Sequence, residues 1–182
     1  MSEGRNMSKV TKIRIAYPDG QQPTMVIPPE YRPFRFALGR PGDHTCLIVG
    51  MNPSAAREEY SDRTVNKVIK TVQELGYDGW IMTNLYPERA TDAKNMDEFD
   101  LLLAKENAEQ IIALCDQYKI KEVWGAWGDP PHENLIKAKE ILMKRLGMEK
   151  IDIFHFGELT KSGNPRHPLY LKIDGEKRYL RY

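Results

Sequence analysis

The side chains best suited to chemistry in this sequence are an amide and an imidazole, each set in a stiffened turn. Asn52 lies in LIVGMNPSAAREEYSD, residues 47–62, where an apolar run stops at Gly50 and Pro53 follows three residues later. Glycine lets a backbone or ligand come close, and proline holds a turn rigid, so Gly50 and Pro53 bracket a sharp exit from a strand. The Asn52 amide can donate and accept at once, but it cannot take a proton as a general base. In a reaction it would orient water or a carbonyl; in a purely structural role it would bond its own turn. His167 lies in a loop between Pro165 and Pro168. An imidazole there suits proton transfer or charge stabilisation, while a lone histidine serves equally well as a structural side chain.

Several other chemistries are excluded by spacing. His44, His132 and His155 stand far from His167 and from one another, so no metal is expected. Cys46 and Cys115 form no CxxC pair and read as small buried hydrophobes. No G-x-x-x-x-G-K-[ST] or G-x-G-x-x-G stretch is present, and no cofactor is expected. Ser54 sits in nothing like a G-x-S-x-G elbow and reads as a cap of a loop or helix.

The elements that must position these residues follow from hydrophobic periodicity. The chain has 182 residues, 41% hydrophobic and 29% charged, which suits one compact domain. TCLIVG (45–50) is an all-apolar strand of the kind buried on both faces. Val65, Val68, Ile69, Val72 and Leu75 predict a helix over 61–76, ended by Gly76. GWIMTNL (79–85), KEVWGAWG (121–128) and KIDIFHF (150–156) predict further strands. Asn95 with Glu98 forms a capping box for a helix to about Tyr118 that buries Leu102, Ala108, Ile111, Ile112 and Cys115. Another helix is expected from Glu133 to Leu146. This alternation predicts a three-layer α/β/α domain over residues 35–182, with a central, mainly parallel sheet of about four strands. KVTKIRIAY (9–17) and TMVIP (24–28), joined at Pro18-Asp19-Gly20, predict an N-terminal β-hairpin extension over residues 1–34, and RFALGR (35–40) an edge strand.

In such sheets a ligand sits beyond the carboxyl ends of the strands. The candidates there are Gly50, Asn52, Pro53 and Ser54, then Asn84, Tyr86 and Arg89, then Trp127 and Gly128, and finally Lys161, Arg166 and Leu169 around His167. Trp124 and Trp127 either sandwich a planar ligand or pair in the core. Lys161 and Arg166 flank His167 as a phosphate-contacting arm would, although scattered cations are more often solvated surface. The formal net charge of +1 announces no global cationic field, so nucleic-acid binding would need a local patch. No apolar run reaches the length of a membrane span, and MSEGRNMSKV has no signal-peptide core, so a cytoplasmic protein without a membrane partner is expected.

Two resemblances rest on these residues. VGMNPSAA, Asp62 with Thr64, GYDGWIMTNLYPERATD, AWG and GNPRHPLYL together resemble domain-of-unknown-function family 1643, from roughly Arg35 to Lys172. More distantly, Gly50-x-Asn52-Pro53, the stretch Thr83 to Arg89, the strand VWGAWG and His167-Pro168 with Leu169 resemble, in order, the motifs of the uracil-DNA glycosylase superfamily. That second resemblance implies a uracil-DNA-glycosylase-like fold acting on DNA or a nucleobase. Asn52 would hold the attacking water, Tyr86 would stack on the base, and His167 would stabilise charge on the leaving base. Leu169 would fill the vacated stack, and Arg166 and Lys161 would touch phosphates. The serine that usually follows His-Pro in that superfamily is replaced here by Leu169-Tyr170-Leu171. The alternative expectation is a non-catalytic nucleobase-, nucleotide- or partner-binding domain.

Overall fold

The computed structural model describes residues 14–90 and 92–181. Seven strands and three helices follow the order β1 (Met25–Ile27), β2 (Ala37–Arg40), β3 (Thr45–Gly50), α1 (Arg63–Glu74), β4 (Gly79–Asn84), α2 (Leu101–Gln117), β5 (Glu122–Gly125), α3 (Glu133–Met148), β6 (Asp152–His155) and β7 (Arg178–Tyr179). They build one mixed sheet in the order β1-β2-β4-β3-β5-β6-β7. Strands β4, β3, β5 and β6 run parallel, and antiparallel strands extend the sheet on both sides.

This corrects the expected sheet of about four strands. Among the described residues, Met25–Ile27 closes no hairpin with residues 14–17. It pairs forward with β2, with Val26 opposite Leu38. Residues 9–13 lie outside the described residues, and Ile15 makes only an isolated bridge to Ser61. RFALGR is no edge strand either, because β2 lies between β1 and β4. Periodicity reports which residues are extended, not what they pair with. One local mark of the inner position exists at Gly39, where an added Cβ would lie 2.4 Å from the Trp80 carbonyl oxygen. Only glycine admits so close an approach of β2 to β4.

All six residues of β3 are buried, and they alternate between the two faces. Cys46 and Ile48 meet Val65, Val68, Ile69 and Val72 of α1. Leu47 and Val49 join the other layer, with Ala108 and Ile111 of α2 and Leu142 and Leu146 of α3. Trp124 belongs to the first layer and Trp127 to the second, so the two indoles cannot sandwich one ligand. Among the described residues no helix is long and apolar enough to cross a membrane.

Carboxylates set the starts of α1 and α2, and the His132 ring caps α3. Asp62 caps α1, accepting from the Val65 N–H at 2.8 Å, and Asp100 caps α2, accepting from Leu103 at 3.0 Å. The expected cap at Asn95 is therefore displaced by Asp100, and Leu102 is 77% exposed rather than buried. The chain leaves β3 through α1 toward β4 and leaves β5 through α3 toward β6, on opposite faces. The carboxyl ends of β3 and β5 thus flank the point where the winding reverses, the usual ligand crevice of such sheets.

Asn107 ties α2 to this end of the sheet. It is fully buried, and its Nδ2 donates to the carbonyls of Asn84 at 2.9 Å and Leu85 at 3.1 Å. Asn107→Ala leaves both carbonyls without this donor, and urea denaturation should record a loss of about 1–3 kcal/mol.

Candidate functional site

At the end of β3, Gly50 has no room for a side chain: a Cβ would lie 2.7 Å from Met82 Cε and 2.9 Å from the Asn84 side-chain amide. Asn52, half-buried, donates from Nδ2 to the carbonyls of Ala90 at 3.2 Å and Pro53 at 3.4 Å. Its Oδ1 has no hydrogen-bond partner among the described residues. The turn and ligand readings of Asn52 are thus compatible, because the nitrogen serves the loop and the oxygen remains. With its amide nitrogen turned toward them, Asn84 donates to the carbonyls of Asn52 at 3.2 Å and Thr83 at 3.1 Å. Being 2% exposed, Asn84 braces the loop from beneath.

At the end of β5, the Ala126 N–H donates to the Val49 carbonyl at 2.9 Å, which joins the two strand exits. Gly128 adopts φ +68°, and a Cβ there would lie 3.3 Å from the His167 Cβ. Its N–H donates to Pro165 at 2.8 Å. The last loop is fixed against this turn by Asn164, whose Oδ1 accepts from Trp127 Nε1 at 3.1 Å and from Lys139 Nζ of α3 at 2.8 Å. Asn164 Nδ2 donates to Asp129 Oδ1 at 2.9 Å, and the Thr160 hydroxyl donates to the same oxygen at 2.6 Å. Those two donors hold the Asp129 carboxyl below its ordinary range.

His167 therefore projects from a rigid loop. Its Nδ1 accepts from the Leu169 N–H at 3.3 Å, which caps a short 3-10 turn over Pro168–Tyr170. An accepting Nδ1 puts the proton of the neutral ring on Nε2, and Nε2 has no partner among the described residues. Burial pulls its pKa below the ordinary value near 6.5; Asp62 opposes this and Lys67 adds to it. The neutral imidazole is thus the resting form at pH 7.

Asp62 links the two halves electrostatically. One carboxylate oxygen caps α1, and the other accepts from the Ala56 N–H at 3.0 Å and from the Ser54 hydroxyl. Ser54 donates to Asp62, and it is Asp62 that caps α1.

The structure thus brings Gly50, Asn52, Pro53, Gly128 and His167 to one end of adjacent strands. Asn84, Tyr86 and Trp127 lie beneath them as buried supports. Tyr86 is 1% exposed, its hydroxyl accepts from the Asp100 N–H at 3.0 Å, and its ring packs 5.5 Å from Phe99. It is a core residue, and no base can stack on it in this conformation. Lys161 and Arg166 are exposed on the last loop, Arg166 donating from Nε to the Glu158 carbonyl at 2.9 Å. Leu169 is half-buried, whereas its neighbour Tyr170 is 84% exposed, 5.7 Å from the His167 ring. Arg89 turns away toward Tyr31. Sequence reasoning places Asp129 at a strand end and Asp62 in a motif without giving either a role, and it assigns no site role to Lys139, Asn164 or Tyr170. Asn164 and Tyr170 lie inside GNPRHPLYL, but nothing in a linear stretch marks Asn164 as the junction of three elements. No group of His, Cys, Asp and Glu among the described residues is arranged to hold a metal.

A family model described as a protein of unknown function (DUF1643) matches residues 35–169, most of the chain. No curated protein and no solved structure matches it.

The depressed pKa of His167 has a thermodynamic consequence. The unfolded chain binds this proton more tightly than the folded one, so acid favours unfolding as pH falls from about 7 toward 5. Burial depresses His155 in the same sense. His167→Asn cannot titrate, so its melting temperature should fall less over that interval than the wild type's, with His155 supplying the remaining slope.

Proposed function

We propose that this chain, which belongs to the DUF1643 family of proteins of unknown function, releases a base from a nucleic acid by water attack on the N-glycosidic bond. One observation carries the reading: Asn52 and His167 are each anchored through one polar atom and each leave the complementary one free. A free acceptor at Asn52 and a free donor at His167 are the pair that this hydrolysis asks for. The glycines at 50 and 128 let the two strand exits pack closely, Gly50 against Met82 and Asn84 and Gly128 against His167. Asn52 Oδ1 accepts a hydrogen bond from the water and aims it at the sugar carbon, without taking its proton. His167 Nε2–H donates to the base as negative charge develops, and a neutral imidazole does so without a proton having to be acquired first. The C1′–N bond breaks as the base departs as an anion, the C1′–O bond forms to the water, and the water's proton passes to the released base through solvent; because the amide is no base, charge stabilisation on the leaving group carries the larger part of the rate. Tyr170 and Leu169, at the rim, are placed to occupy the gap that an extruded base leaves. Lys161 and Arg166 supply phosphate contacts on the same loop.

A second reading has its own observation. The carboxylate nearest the Asn52 turn that has a hydrogen-bonded role there, Asp62, already accepts bonds from Ser54, Ala56 and Val65, so most of its acceptor capacity serves the loop and the helix cap. The same crevice would then bind a nucleobase or nucleotide without chemistry.

The experiment is abasic-site formation on labelled oligonucleotides carrying uracil, mismatched thymine or hypoxanthine, single- and double-stranded, at low salt. Base release by the wild type should fall about 10²–10³-fold in Asn52→Ala and His167→Ala. A folded wild type that leaves every substrate intact, yet is stabilised by free nucleobases, moves the assignment to the binding reading.

A further inference from the structure

A cluster of three arginines lies beside the crevice, and among the described residues no carboxylate forms an ion pair with it, although Asp62 favours the Arg35 cation from a distance. Arg35, Arg57 and Arg89 line a cleft of about 180 Å³ with Tyr31. Among the described residues none of the three forms an ion pair.

Arg35 is 1% exposed, which is extreme for a guanidinium. Its Nη1 donates to the Ala56 carbonyl at 2.6 Å, but its Nε is buried with no partner at all. A buried charge that is neither paired nor fully hydrogen-bonded is costly, and it calls for a counter-charge. Burial, followed by the neighbouring Arg89, lowers its pKa to about 10, so the cation persists at pH 7. Arg57 adds to that repulsion.

The two outer arginines are held in place without being neutralised. The guanidinium carbons of Arg57 and Arg89 lie over the Tyr31 ring, 4.9 and 4.5 Å from its centroid. A neutral aromatic ring orients cations through its quadrupole and leaves their charge available. The backbone fixes the same geometry: the Arg35 N–H donates to Pro87 and the Arg89 N–H to Pro33, both at 2.9 Å. Arg89 Nε donates to the Arg32 carbonyl at 3.0 Å. Glu30, Glu58 and Glu59 stand exposed on the rim, near enough to repel an anion but paired with none of the arginines.

We propose that this arginine cleft is a phosphate-binding site. Guanidinium forks match the oxygens of a phosphoryl group bidentately, and three unneutralised forks around one cleft exceed what a single carboxylate needs. The site adjoins the crevice, because Ala90 after Arg89 accepts the Asn52 amide and Ala56 before Arg57 accepts Arg35. The phosphoryl group belongs to a nucleic-acid strand or to a free nucleotide, and both present the same chemistry here.

The test is the melting temperature of the full chain with pyrophosphate, a nucleoside 5′-monophosphate, the matching nucleoside and a short single-stranded oligonucleotide, with ionic strength matched by chloride. At about tenfold over Kd, phosphate-bearing ligands should raise the midpoint by about 3–6 °C, and the nucleoside should not when measured with Asn52→Ala. The shift should vanish in Arg57→Gln/Arg89→Gln and grow in Glu58→Gln/Glu59→Gln. A response to the oligonucleotide alone assigns the phosphate to a strand, and a response to the mononucleotide assigns it to a free nucleotide. No shift with any phosphate, or equal shifts in the double arginine variant, overturns the proposal. A chain that binds phosphate and releases no base keeps this site and loses only the hydrolytic reading.

Discussion

The structure depends on the burial of β3 on both faces and both edges. Its six residues pair with β4 along their whole length and with β5 near their end, while alternate side chains feed two hydrophobic layers. A strand held this way cannot slip by one residue without exchanging its two faces. Its exit is fixed to the same degree, so Gly50 falls beside Asn84 and the Val49 carbonyl meets the Ala126 N–H. The location of the crevice follows from that register.

Around the crevice, polar side chains are used economically. Asn84 and Asn107 spend their amides on backbone carbonyls at the end of β4, and Asn164 joins Trp127, Lys139 and Asp129. These amides satisfy groups that no ladder can reach, because strands end and loops begin at this edge. Rigidity purchased in this way lets Asn52 and His167 keep one unpaired atom each. A free polar atom on a loosely held side chain would turn to bond itself or its neighbours.

Charge is distributed differently on the two sides of the site. Asp62 accepts three hydrogen bonds and stands electrostatically between α1 and His167. The arginines at 35, 57 and 89 are held by carbonyls and an aromatic ring, which leaves their positive charge unspent. Thus a chain with formal net charge +1 still gathers three arginines without ion-pair partners in one cleft, with Glu30, Glu58 and Glu59 at its rim, a grouping that composition averages away.

The sequence alone determined what short-range physics controls. The apolar run at 45–50 had to be a buried strand, and the spacing of Val65, Val68, Ile69 and Val72 had to be a helix. The Gly-Pro brackets around Asn52 and the Pro165–Pro168 turn around His167 had to be stiff. Pairing was decided only by the tertiary structure. Met25–Ile27 is extended whether it pairs backward or forward, and its partnership with β2 is a contact across the loop that follows it. Exposure likewise belongs to the assembled molecule. Tyr86 and Tyr170 look alike in sequence, yet packing against Phe99 buries one while the 3-10 turn leaves the other in solvent. Arg35, Arg57 and Arg89 are scattered along the chain and become one site only because residues 32–35 fold against 87–89. A sum of distant contacts of this kind has no local period, so no window of the sequence contains it.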